Sequence, residues 1–532
     1  MCPGMEKSAA VVLPLALSFL LTLKVANGAS IRPVVAWRYV GPDSLAGAVV
    51  AHIRPGPQKQ IIQMVKDGPL VALDSRGKTI WKFDLQGTHN CVPAAFDLDG
   101  DGKDEIVFED MTGGIFAIDD DGSRIWQNPE IHQAGDYNSA PAIADVDGDS
   151  LLEVIVTTYG GKIACLDAMT GKTEWVFSAE DREESFQGQA AISDIDADGI
   201  MEVVAFGYGW GIFVLDGRNG QVKSAFPAME KWGEGGYATG PAVCDLTGDG
   251  LKEMVFQGYW KGLAFALRAD MSTYWLYDAY DEISEIFIYA SPSIGDIDGD
   301  GIVDVVCVGK NAEFLVFAPD GRMRWTMRPG ERSNWSPPLV DIDADGIKEI
   351  LDCATKRFFI IDGKARTQLW HYGRGRGSYL GGEYPAFWPT ALVDDIDGDG
   401  KVDIYLVDYE AGVGSFIKIN TPLRDRWPCY MQNNLRTGFD EPKPESCFLD
   451  CSSGPLRKGP LRISFGLNDR SKISMHITDL TGRKVYTYPR GLWEAGTHHL
   501  VLRQEGLPKP TLFFCRLVTE QETLIAKMAM IP

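Results

Sequence analysis

The residues best placed to do chemistry are carboxylates, set at the first, third, fifth and ninth positions of seven short stretches. These are Asp97, Asp99, Asp101 and Glu105; Asp145, Asp147, Asp149 and Glu153; Asp194, Asp196, Asp198 and Glu202; Asp245, Asp249 and Glu253; Asp296, Asp298, Asp300 and Asp304; Asp341, Asp343, Asp345 and Glu349; and Asp395, Asp397, Asp399 and Asp403. Alternate side chains of a tight loop converge on one point. A Gly at position six permits a left-handed turn, and position seven can offer its carbonyl, so the stretch supplies the oxygen set a hard cation needs. Calcium fits best, with up to seven ions. Magnesium takes fewer protein oxygens, and zinc would want the Cys or His these loops lack. Two loops are weaker, with Ser150 for the Gly of the second and Thr247 for an acid of the fourth. Solvated acidic turns would explain one such stretch but not seven in register. Acids this crowded repel strongly, so the cation is expected to be part of the folding free energy.

The elements that carry the loops repeat with them. Loop starts lie 48, 49, 51, 51, 45 and 54 residues apart, and a period of about fifty residues is one four-stranded propeller blade. A small, apolar strand such as Ser139-Ala-Pro-Ala-Ile-Ala144 leads into each acidic loop, and a β-branched strand such as Glu153-Val-Ile-Val156 leaves it. A Gly turn, a third strand, a Thr-Gly or Asp-Gly hairpin signal and a fourth strand bearing an aromatic complete the unit. That aromatic is Trp175, with Trp81, Trp126, Phe226, Trp275, Trp325, Trp370 and Trp427 expected at the same place elsewhere. Residues 46–84 repeat the pattern without its acids. The fold class is therefore all-β, an eight-bladed β-propeller, with seven blades behind an N-terminal extension as the alternative. Val34 to Tyr39, with Trp37, form a spare outer strand able to close the ring against the last blade.

The ends of the chain fit export. Lys7, the apolar run Ala9 to Leu23 and the small residues Ala26-Asn27-Gly28 read as a secretory signal over 1–28. Nothing later reaches the length of a membrane span, so no transmembrane segment is expected in the mature chain. The propeller is assigned to 29–430, a linker to 431–460 and a small immunoglobulin-like β-sandwich to 461–532. Cys91, Cys165, Cys244, Cys307 and Cys353 sit singly in strands and read as buried thiols, whereas Cys429, Cys447 and Cys451 lie in the polar linker, where two could pair. The formal charge of −23 belongs largely to the acidic loops. No basic stripe exists, so nucleic acid is not an expected partner.

Loops that join strand B to C and strand D to the next A share the face opposite the acidic loops. They gather Tyr159, Tyr208, Trp210, Trp232, Tyr259, Trp260, Trp335 and Trp388, with Arg374 and Arg376. Aromatic platforms beside Arg suit a glycan or a protein surface, although the same rings could simply cap the central channel. His89, His132, Glu234, Glu285 and Glu383 are the candidates for glycan cleavage on that face, and no spacing singles any of them out.

The Asp-x-Asp-x-Asp-Gly loops resemble the FG-GAP repeats of integrin α-subunit propellers and their bacterial relatives, over about residues 46–430. The stretch 161–175 also resembles the repeat of quinoprotein-type propellers, but no adjacent cysteine pair is present and no quinone site is carried over. From Leu461 onward, Asp479-Leu-Thr-Gly-Arg-Lys-Val485 and the Lys-Met ending resemble the C-terminal sorting domain of type IX secretion, with a generic immunoglobulin-like module as the alternative. Together these imply a secreted or cell-surface, calcium-stabilised propeller that binds a glycan or protein ligand and is exported by the type IX machinery. A polysaccharide lyase or glycoside hydrolase on the same scaffold is the rival expectation.

Overall fold

In the computed structural model, the described residues run from 31 to 529. They are interrupted at 86–90, 111–113, 132–139, 150, 180–184, 187, 210, 233–239, 259–262, 279–289, 310–312, 330–334, 355–356, 374–390, 410, 428–447, 454–460, 468–470, 479–483, 494–495, 503–511 and 520–522. Eight four-stranded antiparallel sheets follow one another: blade 1 over 45–83, blade 2 over 94–128, blade 3 over 142–178, blade 4 over 191–226, blade 5 over 242–277, blade 6 over 293–327, blade 7 over 339–373 and blade 8 over 392–422. Blade 3 shows the common plan, with A as Ala142–Ala144, B as Glu153–Thr157, C as Lys162–Asp167 and D as Thr173–Ser178. The A strands of blades 1 to 7 touch in succession, and that of blade 1 touches that of blade 8, so they surround the axis of the ring.

Each sheet is covered on both faces by its neighbours, which is why strands B and C are continuous apolar runs. Only at D, the outer edge, does burial alternate, as in Thr173–Ser178. The core therefore consists of layers between blades. One layer, for example, joins Val154, Val156, Ala164 and Leu166 of blade 3 to Val107, Ile115 and Ala117 of blade 2. The only helix among the described residues is Ala228–Trp232, and no described helix is long and apolar enough to cross a membrane.

A second device joins the blades. The D-strand tryptophan donates its indole N–H to a backbone carbonyl in the C–D turn of the next blade: Trp37 to Ser75, Trp81 to Asp120, Trp126 to Ala168, Trp175 to Gly217 and Trp275 to Pro319, at 2.7–3.1 Å. Its ring lies on a turn glycine with positive φ, such as Gly171 under Trp126 and Gly220 under Trp175. A β-carbon there would meet the ring at 2.4 Å. Burying one such side chain is worth about 2–3 kcal/mol, and its hydrogen bond adds about 1 kcal/mol.

Ring closure uses the expected spare strand. Val34–Val40 pairs antiparallel with Val413–Pro422 and becomes strand D of blade 8. Trp37 stacks on Phe416 at 5.0 Å, Arg38 donates to the Tyr372 hydroxyl of blade 7, and Tyr405 donates to Gln63 of blade 1. Two expectations for the outer aromatic are corrected here. Trp37, not Trp427, takes the clasp position of blade 8; Trp427 instead bridges Val393 and is buried in the core. In blade 4 the register puts Ser224 opposite Val214, at the clasp position, and moves Phe226 two residues inward to the place Phe177 holds in blade 3.

The C-terminal unit has a three-stranded sheet of Phe448–Ser453, Leu461–Leu467 and Gly496–Leu502. Its four-stranded sheet holds Lys484–Trp493, Ser471–Thr478, Leu512–Val518 and Thr523–Ala529. Phe448–Ser453, with Cys451, belongs to this unit rather than to the linker assigned to 431–460. Cys429 and Cys447 lie outside the described residues. Cys91, Cys165, Cys244, Cys307, Cys353 and Cys515 are buried free thiols, and burial pushes the thiols of Cys91, Cys165, Cys307 and Cys353 well up, consistent with inert packing.

Candidate metal centres

Every acidic loop joins strand A to strand B of its blade, and its ninth residue begins strand B, except in blade 8, where strand B begins at Lys401. Two anchors recur in all of them. The buried ninth-position carboxylate accepts the N–H of the second residue: Leu98 to Glu105 at 2.6 Å, Val146 to Glu153 at 2.7 Å, Ile195 to Glu202 at 2.9 Å, Leu246 to Glu253 at 2.8 Å, Ile297 to Asp304 at 3.2 Å, Ile342 to Glu349 at 2.8 Å and Ile396 to Asp403 at 3.0 Å. The fifth-position Asp accepts the N–H of the seventh residue, as in Lys103 to Asp101 and Ile302 to Asp300.

The first-position Asp accepts the N–H of the sixth-position Gly in six loops, for instance Gly102 to Asp97 at 3.0 Å and Gly400 to Asp395 at 2.8 Å. In the loop with Ser150, Asp145 takes the N–H of Gly148 instead, at 2.7 Å. Position four also has positive φ throughout, and it is Ala rather than Gly at Ala197 and Ala344. The sequence reading had placed the left-handed requirement only at position six.

Backbone bonds tie one oxygen of Asp97, whereas both oxygens of Asp245, Asp296, Asp341 and Asp395 accept backbone N–H groups. Asp97, Asp99 and Asp101 bring oxygens within 4.8 Å of one another, as do Asp145, Asp147 and Glu153, then Asp194, Asp196 and Glu202, and also Asp296, Asp298 and Asp300. Asp97 is 8% exposed, and its Oδ1 is buried without a hydrogen-bond partner, as are Asp397 Oδ1 and Asp403 Oδ1. A buried carboxylate oxygen with no donor is costly unless a cation meets it. Burial, and then the neighbouring acids, push Glu153 and Glu349 up to about 9 and Glu105 up to about 8. Each such group must take a proton or a cation. The all-oxygen donor set fits calcium, and the residues that would hold it are those read from the sequence.

Four loops also hold a basic side chain of their own blade, one of them through the single contact of Lys103 with Asp101 at 3.1 Å. Lys223 Nζ lies 2.8 Å from Asp196, 3.3 Å from Asp198 and 2.7 Å from Glu202. Arg324 contacts Asp298 at 2.8 Å, Asp300 at 3.0 Å and Asp304 at 3.0 Å. Lys418 contacts Asp397, and Asp399 at 3.0 Å. A further cluster missed in the sequence, Asp119, Asp120 and Asp121, occupies the C–D turn of blade 2, where Lys103 bonds Asp120. Three consecutive acids before Gly122 were its visible signal.

The opposite face is described only in part. Tyr159 is exposed in the B–C turn of blade 3, and Tyr208 is half-buried with its N–H on the Ser185 carbonyl. Two of the expected ligand residues pack against apolar neighbours, one of them fully buried. Trp335 is buried between blades 6 and 7, and Trp232 packs at 4.8 Å on both Phe226 and Phe265. Trp210, Tyr259, Trp260, Arg374, Arg376 and Trp388 lie outside the described residues, as do His89, His132, Glu234, Glu285 and Glu383.

Residues 60–136 match the family model of the lambda-carrageenase beta-propeller domain, a span of just under two blades. The match is to a carrageenase-type propeller domain and covers this part of the chain alone. No curated protein matches the chain. Among solved structures, the chain is similar to the quinohemoprotein alcohol dehydrogenase ADHIIG of Pseudomonas putida, at 12% identity and a TM-score of 0.52 over 80% of this chain and 79% of that one. It is also similar to the biofilm matrix protein Bap1 of V. cholerae, at 14% and 0.51 over 74% and 92%. BamB from Moraxella catarrhalis follows, at 15% and 0.50 over 73% and 100%. Identities this low show the fold alone, and in that respect the quinoprotein-type likeness read at 161–175 agrees with these neighbours.

Proposed function

We propose that this chain is an exported, calcium-loaded propeller that captures a glycan, or a protein surface, outside the cell. The observation that carries the calcium part is the buried, partnerless Asp97 Oδ1 inside a loop whose backbone has already turned two further carboxylates toward it. The glycan is supported by the family match, since the matched propeller is named for a carrageenase, and by the exposed Tyr159 on the face away from the metal loops. Export through residues 1–28 and recognition of 461–532 by the type IX machinery belong to the same reading. The family match also favours a second reading, in which the propeller is part of a polysaccharide lyase or glycoside hydrolase.

The calcium-saturated chain, passed over a panel of immobilised polysaccharides including carrageenans, distinguishes the two. Retention without new reducing or unsaturated ends supports capture, and release of such ends supports the enzyme. A chain that neither binds nor cleaves any member of the panel, and whose melting temperature is indifferent to chelator, defeats the whole reading.

A further inference from the structure

Every D strand from blade 2 to blade 7 carries a β-bulge one residue before the clasp position. The bulged residue is Ile125 in blade 2, Glu174 in blade 3, Lys223 in blade 4, Tyr274 in blade 5, Arg324 in blade 6 and Leu369 in blade 7. A bulge re-aims its side chain out of the alternation of the strand, and in blades 4 and 6 it turns toward the acidic loop of the same blade. The contacts of Lys223 with Asp196, Asp198 and Glu202, and of Arg324 with Asp298, Asp300 and Asp304, show where that side chain reaches.

We infer that the bulged residue decides which loops take a metal ion, and that Lys223 and Arg324 stand in the place of calcium in blades 4 and 6. This rests on calcium being the ion of the other loops. Each of the two basic side chains touches the third-, fifth- and ninth-position acids at once, which are the groups a divalent ion would gather. A divalent ion brought to the same oxygens meets a positive charge a few ångströms away and must first expel it. Neither Ile125, Tyr274 nor Leu369 offers such a charge, and Glu174 is itself a carboxylate. Lys418 is a different case. It comes from strand C and reaches the third- and fifth-position acids Asp397 and Asp399, whereas Lys223 and Arg324 also reach the ninth, so the blade 8 loop keeps its ninth-position carboxylate for an ion. The loops beginning at Asp97, Asp145, Asp245, Asp341 and Asp395 are then the metal sites, five where the sequence pattern suggests seven.

The test is the number of calcium ions bound per chain, measured on the whole protein by equilibrium dialysis and elemental analysis after chelator treatment. We expect five on the unmodified chain, one more on Lys223→Met, one more on Arg324→Met, and no change on Lys223→Arg, which keeps the charge. Where a methionine variant loses the β-sheet signal in circular dichroism, the corresponding Lys223→Gln or Arg324→Gln takes its place. Seven ions on the unmodified chain, or a folded uncharged variant that gains none, overturns the inference while leaving calcium in the loops. An unmodified chain with no bound ion overturns the calcium reading itself, and this inference with it.

Discussion

Gly220 offers a direct measure of what the tryptophan clasp contributes. Its φ is +68°, and a β-carbon would lie 2.4 Å from Trp175 Cε3 and 2.8 Å from Cδ2. Gly220→Ala therefore meets two separate costs. The left-handed backbone costs an L-residue about 1–2 kcal/mol, and forcing the methyl against a well-packed ring costs about 1–3 kcal/mol, so the substitution should destabilise by about 2–5 kcal/mol. In a Trp175→Leu background the ring is gone and only the backbone cost of about 1–2 kcal/mol remains. A double-mutant cycle on the calcium-saturated chain, read from urea midpoints and slopes by circular dichroism, gives the difference as a coupling of about 1–3 kcal/mol. Equal costs for Gly220→Ala in the two backgrounds would refute the claim that the ring and the turn are packed as one unit.

Two smaller predictions follow from named residues. Ala197 and Ala344 hold positive φ where the equivalent loops have Gly, and at Gly100 and Gly248 a β-carbon meets nothing within 4 Å; Ala197→Gly and Ala344→Gly should each leave stability unchanged or raise it by up to about 1 kcal/mol in urea unfolding, because relief of backbone strain slightly outweighs the extra freedom of the unfolded chain. In the C-terminal unit, His476 is held below its usual range by burial, then by Lys484 and Arg516, and Lys484 donates to its Nε2 at 3.3 Å. A depressed folded value means that the unfolded chain takes the proton more readily. The contribution of His476 is thus complete above its unfolded value of about 6.5 and is lost as the pH falls below it, so His476→Gln should flatten the dependence of the unfolding midpoint between pH 7.5 and 5.5.

The acidic loops were legible because their chemistry is local: the spacing of the acids, the Gly and the following β-branched strand all lie within a few residues. Blade count was legible for the same reason, since even blade 1 keeps its strand pattern without acids. What failed was long-range. Trp427 falls at a spacing that suits the last D strand, but that strand is supplied from residues 34–40, and no local signal says which of two apolar segments wins the edge. Ser224 stands where the other blades have Trp, so in blade 4 the sequence offers Phe226, two residues on, as the nearest aromatic. Trp232, at the end of the short helix, and Trp335 lie in connections between blades whose composition is the same whether a ring caps the core or meets a ligand. The bulge residues are silent in sequence for a similar reason: Lys223 and Arg324 read as ordinary outer-strand charges until the register turns them inward.

Blade 1 shows that the ion is not what shapes a blade. Its A–B connection lacks the acids, yet the sheet forms, and the neighbouring loop holds the connection in place: His52 donates its N–H to Asp104 Oδ2 at 2.6 Å and its carbonyl accepts the N–H of Asp104 at 3.0 Å. On the proposed reading, calcium in the five loops left to it reconciles acids that the fold has already brought together. Glu153→Gln separates the two roles. The amide oxygen can still accept the Val146 N–H, and without calcium the wild-type side chain, pushed up to about 9 mainly by burial, must take up a proton on folding near pH 7 that the amide does not need, so the chelated variant should unfold at a higher urea concentration than the chelated wild type. With calcium at about ten times the dissociation constant, the wild type should gain about 1.4 kcal/mol from this loop, and the variant should forfeit most of that gain. A variant that is markedly less stable than wild type in chelator would show that the carboxylate supports strand B directly, and that the metal is incidental to this loop.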